Sequence, residues 1–142
     1  MLIGKGLGFW KTIQENVEFV QTWLDAYNAG DMDPFGAMHD PKVIWAAFEG
    51  WPEAETLVGR EACMRQWVRL RAPFDVDTVE PITDFIAAGD RVVVGIAWRA
   101  TGQGPEMNME LTSVYTIRKD KIFMIENFWE QAEALKALGL EE

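Results

Sequence analysis

Two segments near the C-terminus carry polar side chains that could do chemistry among large apolar ones. Residues 107–118 and 122–129 alternate with the period of two that is typical of strands. Ser113, Tyr115 and Asn127 fall on one face of this predicted strand pair. Two hydroxyl groups and an amide can orient a ligand or hold an ordered water. The pattern therefore predicts the floor of a binding pocket, with Tyr115 and Asn127 as candidate catalytic residues.

His39 is the third candidate catalytic residue. It is the only histidine in the chain, and its unperturbed pKa lies near neutrality, as a general acid or base requires. However, it is predicted to end a short helix over residues 34–39, just before Pro41. A histidine at that position is more often a cation at a helix C-terminus or a surface residue, so both interpretations stay open.

A pair of carboxylates also lies on these strands. Glu110 and Glu126 could serve as acid and base on neighbouring strands. The alternation places both on the opposite, convex face, towards solvent, a dimer partner, or Arg99 or Arg118. If the inward and outward faces of these strands were exchanged, both glutamates would lie in the pocket.

Tryptophan is abundant, with seven in 142 residues. Five of them fall on predicted inward faces, one from each of five elements. One interpretation is a core filled with large rings, and the other is an aromatic-walled cavity for a flat or apolar small molecule. The residues predicted to line such a cavity are Trp23, Trp45, Trp67, Ile96, Trp98, Leu111, Ser113, Tyr115, Asn127 and Trp129.

Composition limits the possible partners. A formal charge of −10 repels nucleic acids and anionic membranes, and no apolar stretch approaches the ~20 residues that cross a bilayer. One cysteine, Cys63, excludes an internal disulfide and, with a single histidine, excludes a zinc site of the usual kind. We expect no cofactor and no metal, and a cytoplasmic location.

The elements that must position these residues follow a simple order. Residues 1–12 are predicted to form an N-terminal arm, and residues 13–142 a single domain. Helices are predicted over 13–28, 34–39, 60–72 and 130–139, and strands over 43–48, 74–87, 91–101, 107–118 and 122–129. Pro81 within the second strand predicts a bulge or an edge position. Helices segregated on one side of an antiparallel sheet define an α+β domain.

Four local patterns carry a resemblance to a known family. They are YNAGD at 27–31, GREA at 59–62, AGDRVVV at 88–94 and the stretch 107–135. In their order and spacing they resemble the SnoaL-like, or polyketide-cyclase-like, branch of the nuclear transport factor 2-like superfamily. The resemblance implies a cone-shaped, curved antiparallel sheet wrapped around N-terminal helices, with a deep hydrophobic pocket. It also implies a homodimer through the convex face of the sheet.

The resemblance further implies which positions relatives use for catalysis. Ser113 would sit where ketosteroid isomerases place a protonated carboxylic acid. Trp45 would lie near their carboxylate base, and Trp23 near their oxyanion-hole tyrosine. This chain keeps none of those catalytic groups.

The second comparison is with limonene-epoxide hydrolases. Asn127 falls where those enzymes keep one of two catalytic aspartates, while Ile96 and Trp98 fall near their arginine and the other aspartate. Because the carboxylates of relatives are unmatched, the first hypothesis is a protein that binds an apolar or aromatic small molecule. The alternative is a cofactor-independent isomerase, cyclase, dehydratase or epoxide hydrolase. A third hypothesis is an interaction domain whose pocket is packed shut.

Overall fold

Residues 13–51, 55–102 and 104–140 are described in a computed structural model. The predicted arm at 1–12 lies outside the described residues. The α+β class and the order of elements are confirmed. The elements are α1 (Ile13–Ala29), α2 (Met32–Ala37), β1 (His39–Trp45), β2 (Leu57–Val58), α3 (Arg60–Arg71), β3 (Phe74–Pro81), β4 (Ile86–Ala88), β5 (Arg91–Gly102), β6 (Met107–Arg118), β7 (Lys121–Phe128) and α4 (Gln131–Ala137).

The first helix follows its apolar stripe. Val20, Leu24 and Tyr27 are buried at the helical spacing that the sequence predicts. Gly30 has a φ of 83° and donates its N–H to the Tyr27 carbonyl. Only glycine adopts this left-handed conformation freely, so the helix ends where the sequence predicts.

The segment after Gly30 differs from the prediction. Helix α2 begins at Met32 and not at residue 34, because Asp31 caps it: the Asp31 side chain accepts a hydrogen bond from the Asp33 N–H at 3.2 Å. His39 does not end a helix but begins β1, which runs parallel to β7 with His39 opposite Ile122. Pro41 is tolerated inside β1 because the pairing is irregular between His39 and Ile44.

The sheet has the strand order β2-β1-β7-β6-β5-β3, and β4 also pairs with β5. The long strand predicted over 74–87 is divided into β3 and β4, with β3 ending at Pro81. The predicted edge position of Pro81 is confirmed, since β3 is an edge strand of the sheet. Asn28 of α1 covers this edge by bonding both backbone groups of Val79, at 2.9 Å to its carbonyl and 2.8 Å from its N–H.

The two faces of the sheet pack against different helices. The concave face, α1, α2 and α3 share the main hydrophobic core. On the convex face, Val93 and Val114 pack against Ala134 of α4, with Phe128 beside them. Helix α4 therefore covers part of the apolar convex surface. The sequence predicts that a dimer partner covers this surface.

Candidate ligand-binding site

A cavity of about 450 Å³ lies between the concave face of the sheet and the helices α1 and α3. Its lining includes every residue predicted for it except Trp129. These are Trp23, Trp45, Trp67, Ile96, Trp98, Leu111, Ser113, Tyr115 and Asn127. Tyr27, Phe48, Trp51 and Met109 also contribute to the walls. The amphipathic period of α1 and the two-residue period of β5, β6 and β7 together bring these side chains to one place.

Trp129 is placed differently from the prediction. It is 40% exposed, and its indole N–H donates to the Glu49 carbonyl at 2.9 Å. Its ring packs on Phe48 with centroids 4.3 Å apart. Because β7 ends at Phe128, the alternation of the strand no longer governs the next residue. Trp129 therefore supports the cavity wall from behind Phe48 and does not itself line the cavity.

The floor of the cavity carries uncharged polar groups. Ser113 donates its hydroxyl to the Asn127 Oδ1 at 2.6 Å, across the paired strands β6 and β7. The Asn127 Nδ2 makes no hydrogen bond within the described part of the chain, so its two protons are available to a ligand. Burial raises the pKa of the Tyr115 hydroxyl well above its ordinary value, although a hydrogen bond with Ser113 acts in the opposite direction. The floor is therefore neutral at physiological pH.

One wall of the cavity is a pair of stacked indoles. The rings of Trp45 and Trp67 lie 4.4 Å apart at an interplanar angle of 22°. Neither indole N–H has a partner among the residues that the structure describes. The N–H groups of Trp23 and Trp98 are instead bonded to His39 and Asp77, behind the cavity wall. Of these four indole N–H groups, those of Trp45 and Trp67 are therefore the ones available to a ligand.

His39 lies behind Trp23, outside the cavity lining. It is fully buried, and its Nε2 accepts the Trp23 indole N–H at 2.9 Å. Its Nδ1 is 3.3 Å from the Gly36 carbonyl, which fixes the proton on Nδ1. Burial lowers the pKa of His39 to about 4, so the ring is neutral near pH 7. With both nitrogens occupied, His39 has the geometry of a structural residue, and the catalytic role predicted for it has no support.

Asp77 is a buried carboxylate beside the cavity wall that the sequence did not single out. Its Oδ2 accepts the Tyr27 hydroxyl at 2.7 Å and the Trp98 indole N–H at 3.0 Å. Its Oδ1 pairs with Arg71 Nε at 2.9 Å, and the Arg71 guanidinium lies 3.9 Å above the Tyr27 ring. The available signal was its spacing of two residues from Val79, which places an aspartate on the inward face of β3.

This network controls the protonation of Tyr27. Burial and the Asp77 carboxylate raise the pKa of the Tyr27 hydroxyl far above its ordinary range. Tyr27 therefore stays protonated, and its hydroxyl donates a hydrogen bond to Asp77.

The remaining carboxylates on the strands lie outside the cavity. Glu110 pairs across the sheet with Ala97, and Glu126 with Val114, which places both on the convex side as the alternation predicts. Arg99 pairs with Glu80, and Arg118 lies over the Phe123 ring; within the described residues neither arginine forms an ion pair with Glu110 or Glu126. Among the described residues no three acidic, histidine or cysteine side chains are grouped as a metal site would need.

Comparison with known families identifies the class of protein. Residues 20–125 match the SnoaL-like domain family, so the chain belongs to this family. It therefore belongs to the SnoaL branch of the nuclear transport factor 2-like superfamily, as the resemblance in the sequence predicted. A search of curated proteins finds no match.

Solved structures of low sequence identity share the fold. TerC, co-crystallised with polyporic acid, has 18% identity over 87% of this chain and 98% of its own, with a TM-score of 0.67. A putative polyketide cyclase from Sinorhizobium meliloti has 23% identity over 78% of this chain and 93% of its own, with a TM-score of 0.64. SalBIII, an epoxide hydrolase/cyclase-like enzyme with a role in pyran ring formation in salinomycin, has 22% identity over 83% of this chain and 92% of its own, with a TM-score of 0.70.

No helix in the described ranges is both long and apolar enough to span a bilayer.

The Asp77 network gives a first prediction about stability. Asp77→Asn should lower the free energy of unfolding by about 2–4 kcal/mol, because it leaves the half-buried Arg71 guanidinium without its counter-charge. Glu80→Gln is a matched control on the same strand. It breaks the exposed pair with Arg99 and should cost less than about 1 kcal/mol. Urea unfolding of both variants measures the difference, and equal losses would contradict the assigned role of Asp77.

The environment of His39 gives a second prediction, about pH. The pKa of His39 is about 4 in the folded protein and about 6.5 when unfolded. Between these values the unfolded chain binds more protons, so the free energy of unfolding must fall as the pH falls through this window. His39→Gln should remove up to about 3 kcal/mol of that pH dependence. Urea unfolding of the wild type and of His39→Gln at several pH values tests this. If the free energy of unfolding depended on pH in the same way in both proteins, the result would contradict this prediction.

Proposed function

We propose that the protein binds a flat, apolar or aromatic small molecule in the cavity between its helices and its sheet. The observation that carries this proposal is an aromatic-walled cavity of about 450 Å³ with a neutral polar pair, Ser113 and Asn127, at its floor. The volume lies within the roughly 300–1,000 Å³ of small-molecule pockets. An apolar wall with a few oriented polar groups is also the usual composition of such sites.

The wall and the floor favour different parts of the ligand. The stacked pair of Trp45 and Trp67 favours a ring system, since aromatic contacts contribute about 0.5–1.5 kcal/mol beyond the burial of their area. At the floor, the Asn127 Nδ2 can donate to a carbonyl or hydroxyl oxygen of the ligand. Among the relatives in fold, TerC was crystallised with polyporic acid, which supports a small-molecule role for this chain.

The alternative is a cofactor-independent enzyme of the isomerase, cyclase, dehydratase or epoxide hydrolase type. One observation favours it: Tyr27 lines the cavity and bonds through its hydroxyl to the buried Asp77 carboxylate at 2.7 Å. Such a pair could pass a proton to or from a substrate. Polyketide-cyclase and epoxide hydrolase/cyclase relatives in fold agree with this second candidate. It ranks second because Asp77 lies behind Tyr27 and Trp98 and does not itself line the cavity.

The convex-face homodimer and the cytoplasmic location remain predictions from the sequence. One observation supports the dimer: Met124 and Glu126 of β7 lie on the convex face and are only partly buried. Sedimentation equilibrium distinguishes a mass of 16.1 kDa from twice that value.

A fluorescent probe tests the binding proposal. 7-Hydroxycoumarin is flat, bicyclic and neutral, and it should show saturable energy transfer from tryptophan when it enters the cavity. Leu111→Trp should weaken this binding by at least about tenfold, because the larger ring occupies the cavity. Val68→Trp is the matched control, since Val68 is 51% exposed and lies outside the cavity.

The outcomes of this experiment are distinct. Binding to the wild type and to Val68→Trp, but not to Leu111→Trp, supports the proposal. If Leu111→Trp proves unfolded by circular dichroism, Leu111→Phe gives a smaller filling of the same space. No saturable transfer with the wild type, or equal affinity in the filled and control variants, contradicts the proposal.

A further inference from the structure

The charge at the cavity differs from the charge of the protein as a whole. The chain has 23 acidic and 13 basic residues, with a formal charge of −10. The cavity lining nevertheless contains two arginines, Arg65 and Arg69, and within the described residues a single carboxylate, Glu55. An anion near this site would meet a locally positive region on an acidic protein.

Helix α3 supplies four arginines, and the fold uses two of them internally. Arg60 donates to the His39 backbone carbonyl at 3.0 Å, and Arg71 pairs with Asp77. Neither lines the cavity. The two arginines that do, Arg65 and Arg69, are one helical turn apart and therefore lie on the same side of α3.

Arg65 and Arg69 are exposed, while Ser113 at the floor is buried and Asn127 is partly buried, so the two arginines mark the solvent side of the cavity. Arg69 Nη1 lies 3.4 Å from the Gln66 Oε1, and Gln66 lines the cavity as well. Arg65 makes no ion pair or hydrogen bond within the described part of the chain, so its guanidinium is available to a ligand. Guanidinium groups bind carboxylates through two parallel hydrogen bonds.

We infer that the cavity selects ligands in which a flat apolar body carries a carboxylate or another anionic group at the end facing solvent, where Arg65 and Arg69 bind it. This inference rests on the proposed function, because the apolar body must occupy the same cavity. It assigns the two ends of the ligand to different parts of the site. The ring packs against Trp45 and Trp67, and the anion stays at the mouth with the arginines.

A matched pair of probes tests the inference. 2-Naphthoate and 2-naphthamide have the same ring system and nearly the same shape, but only the first is charged. Isothermal titration calorimetry should show that the wild-type protein binds naphthoate more tightly, despite its overall negative charge. Raising the KCl concentration should reduce that preference, because salt screens an exposed ion pair.

Three variants locate the preference. Arg65→Gln should weaken naphthoate binding between about twofold and fivefold, as expected for an exposed ion pair, and leave naphthamide binding unchanged. Replacing both Arg65 and Arg69 by glutamine should weaken it by about tenfold. Arg91→Gln is the control, because it removes the same charge from the exposed hairpin end of β5, outside the cavity, and should change neither affinity.

The outcomes separate this inference from the proposed function. If naphthamide binds and naphthoate binds no better, or if Arg91→Gln weakens naphthoate as much as Arg65→Gln does, the anion inference is overturned while the cavity proposal stands. If neither probe binds the wild type, both are overturned. A preference for naphthoate that disappears in the double arginine variant, with naphthamide unaffected, supports the inference.

Discussion

The buried carboxylate of Asp77 joins the four elements that enclose the cavity. It accepts hydrogen bonds from Tyr27 of α1 and Trp98 of β5, pairs with Arg71 of α3, and itself belongs to the edge strand β3. A buried carboxylate is tolerated only where partners replace its hydration, and three donors do so here. Because these partners come from different elements, the helices cannot move away from the sheet without exposing an unpaired charge. We regard this network as the constraint that holds the walls of the cavity together.

The same arrangement explains why the cavity surface is neutral at its base. Two buried ionisable side chains are used by the fold and do not line the cavity: His39 accepts a hydrogen bond from Trp23, and Asp77 lies behind Tyr27 and Trp98. What remains inside is the Ser113–Asn127 pair, hydroxyl groups and indole rings. Among the described lining residues, charge returns at Arg65 and Arg69 of α3 and at Glu55. A site of this kind favours binding by shape and hydrogen bonds over chemistry that requires a carboxylate in direct contact with the substrate.

The sequence predicted most of the fold and nine of the residues that line the cavity, because both depend on regular periods. The helical period placed Trp23 and Trp67 inward, and the two-residue period did so for Ile96, Ser113 and Asn127. The predictions were wrong where a local pairing overrode the pattern: His39 became the first residue of β1, and Trp129 fell beyond the end of β7. Asp77 was missed because its partners are distant in sequence, and only the folded chain brings Tyr27, Arg71 and Trp98 to it.

The central claim, that a ligand occupies the cavity against the stacked indoles, is tested most directly by the indole N–H signals in a ¹H–¹⁵N spectrum. Tryptophan-to-phenylalanine variants assign the signals, and 7-hydroxycoumarin is then added to saturation. The account predicts the largest shifts at Trp45 and Trp67, whose N–H groups have no partner in the described structure, and smaller shifts at Trp23 and Trp98, which are bonded behind the wall. Shifts confined to the exposed Trp129, or no shift in any of these five signals, would contradict it.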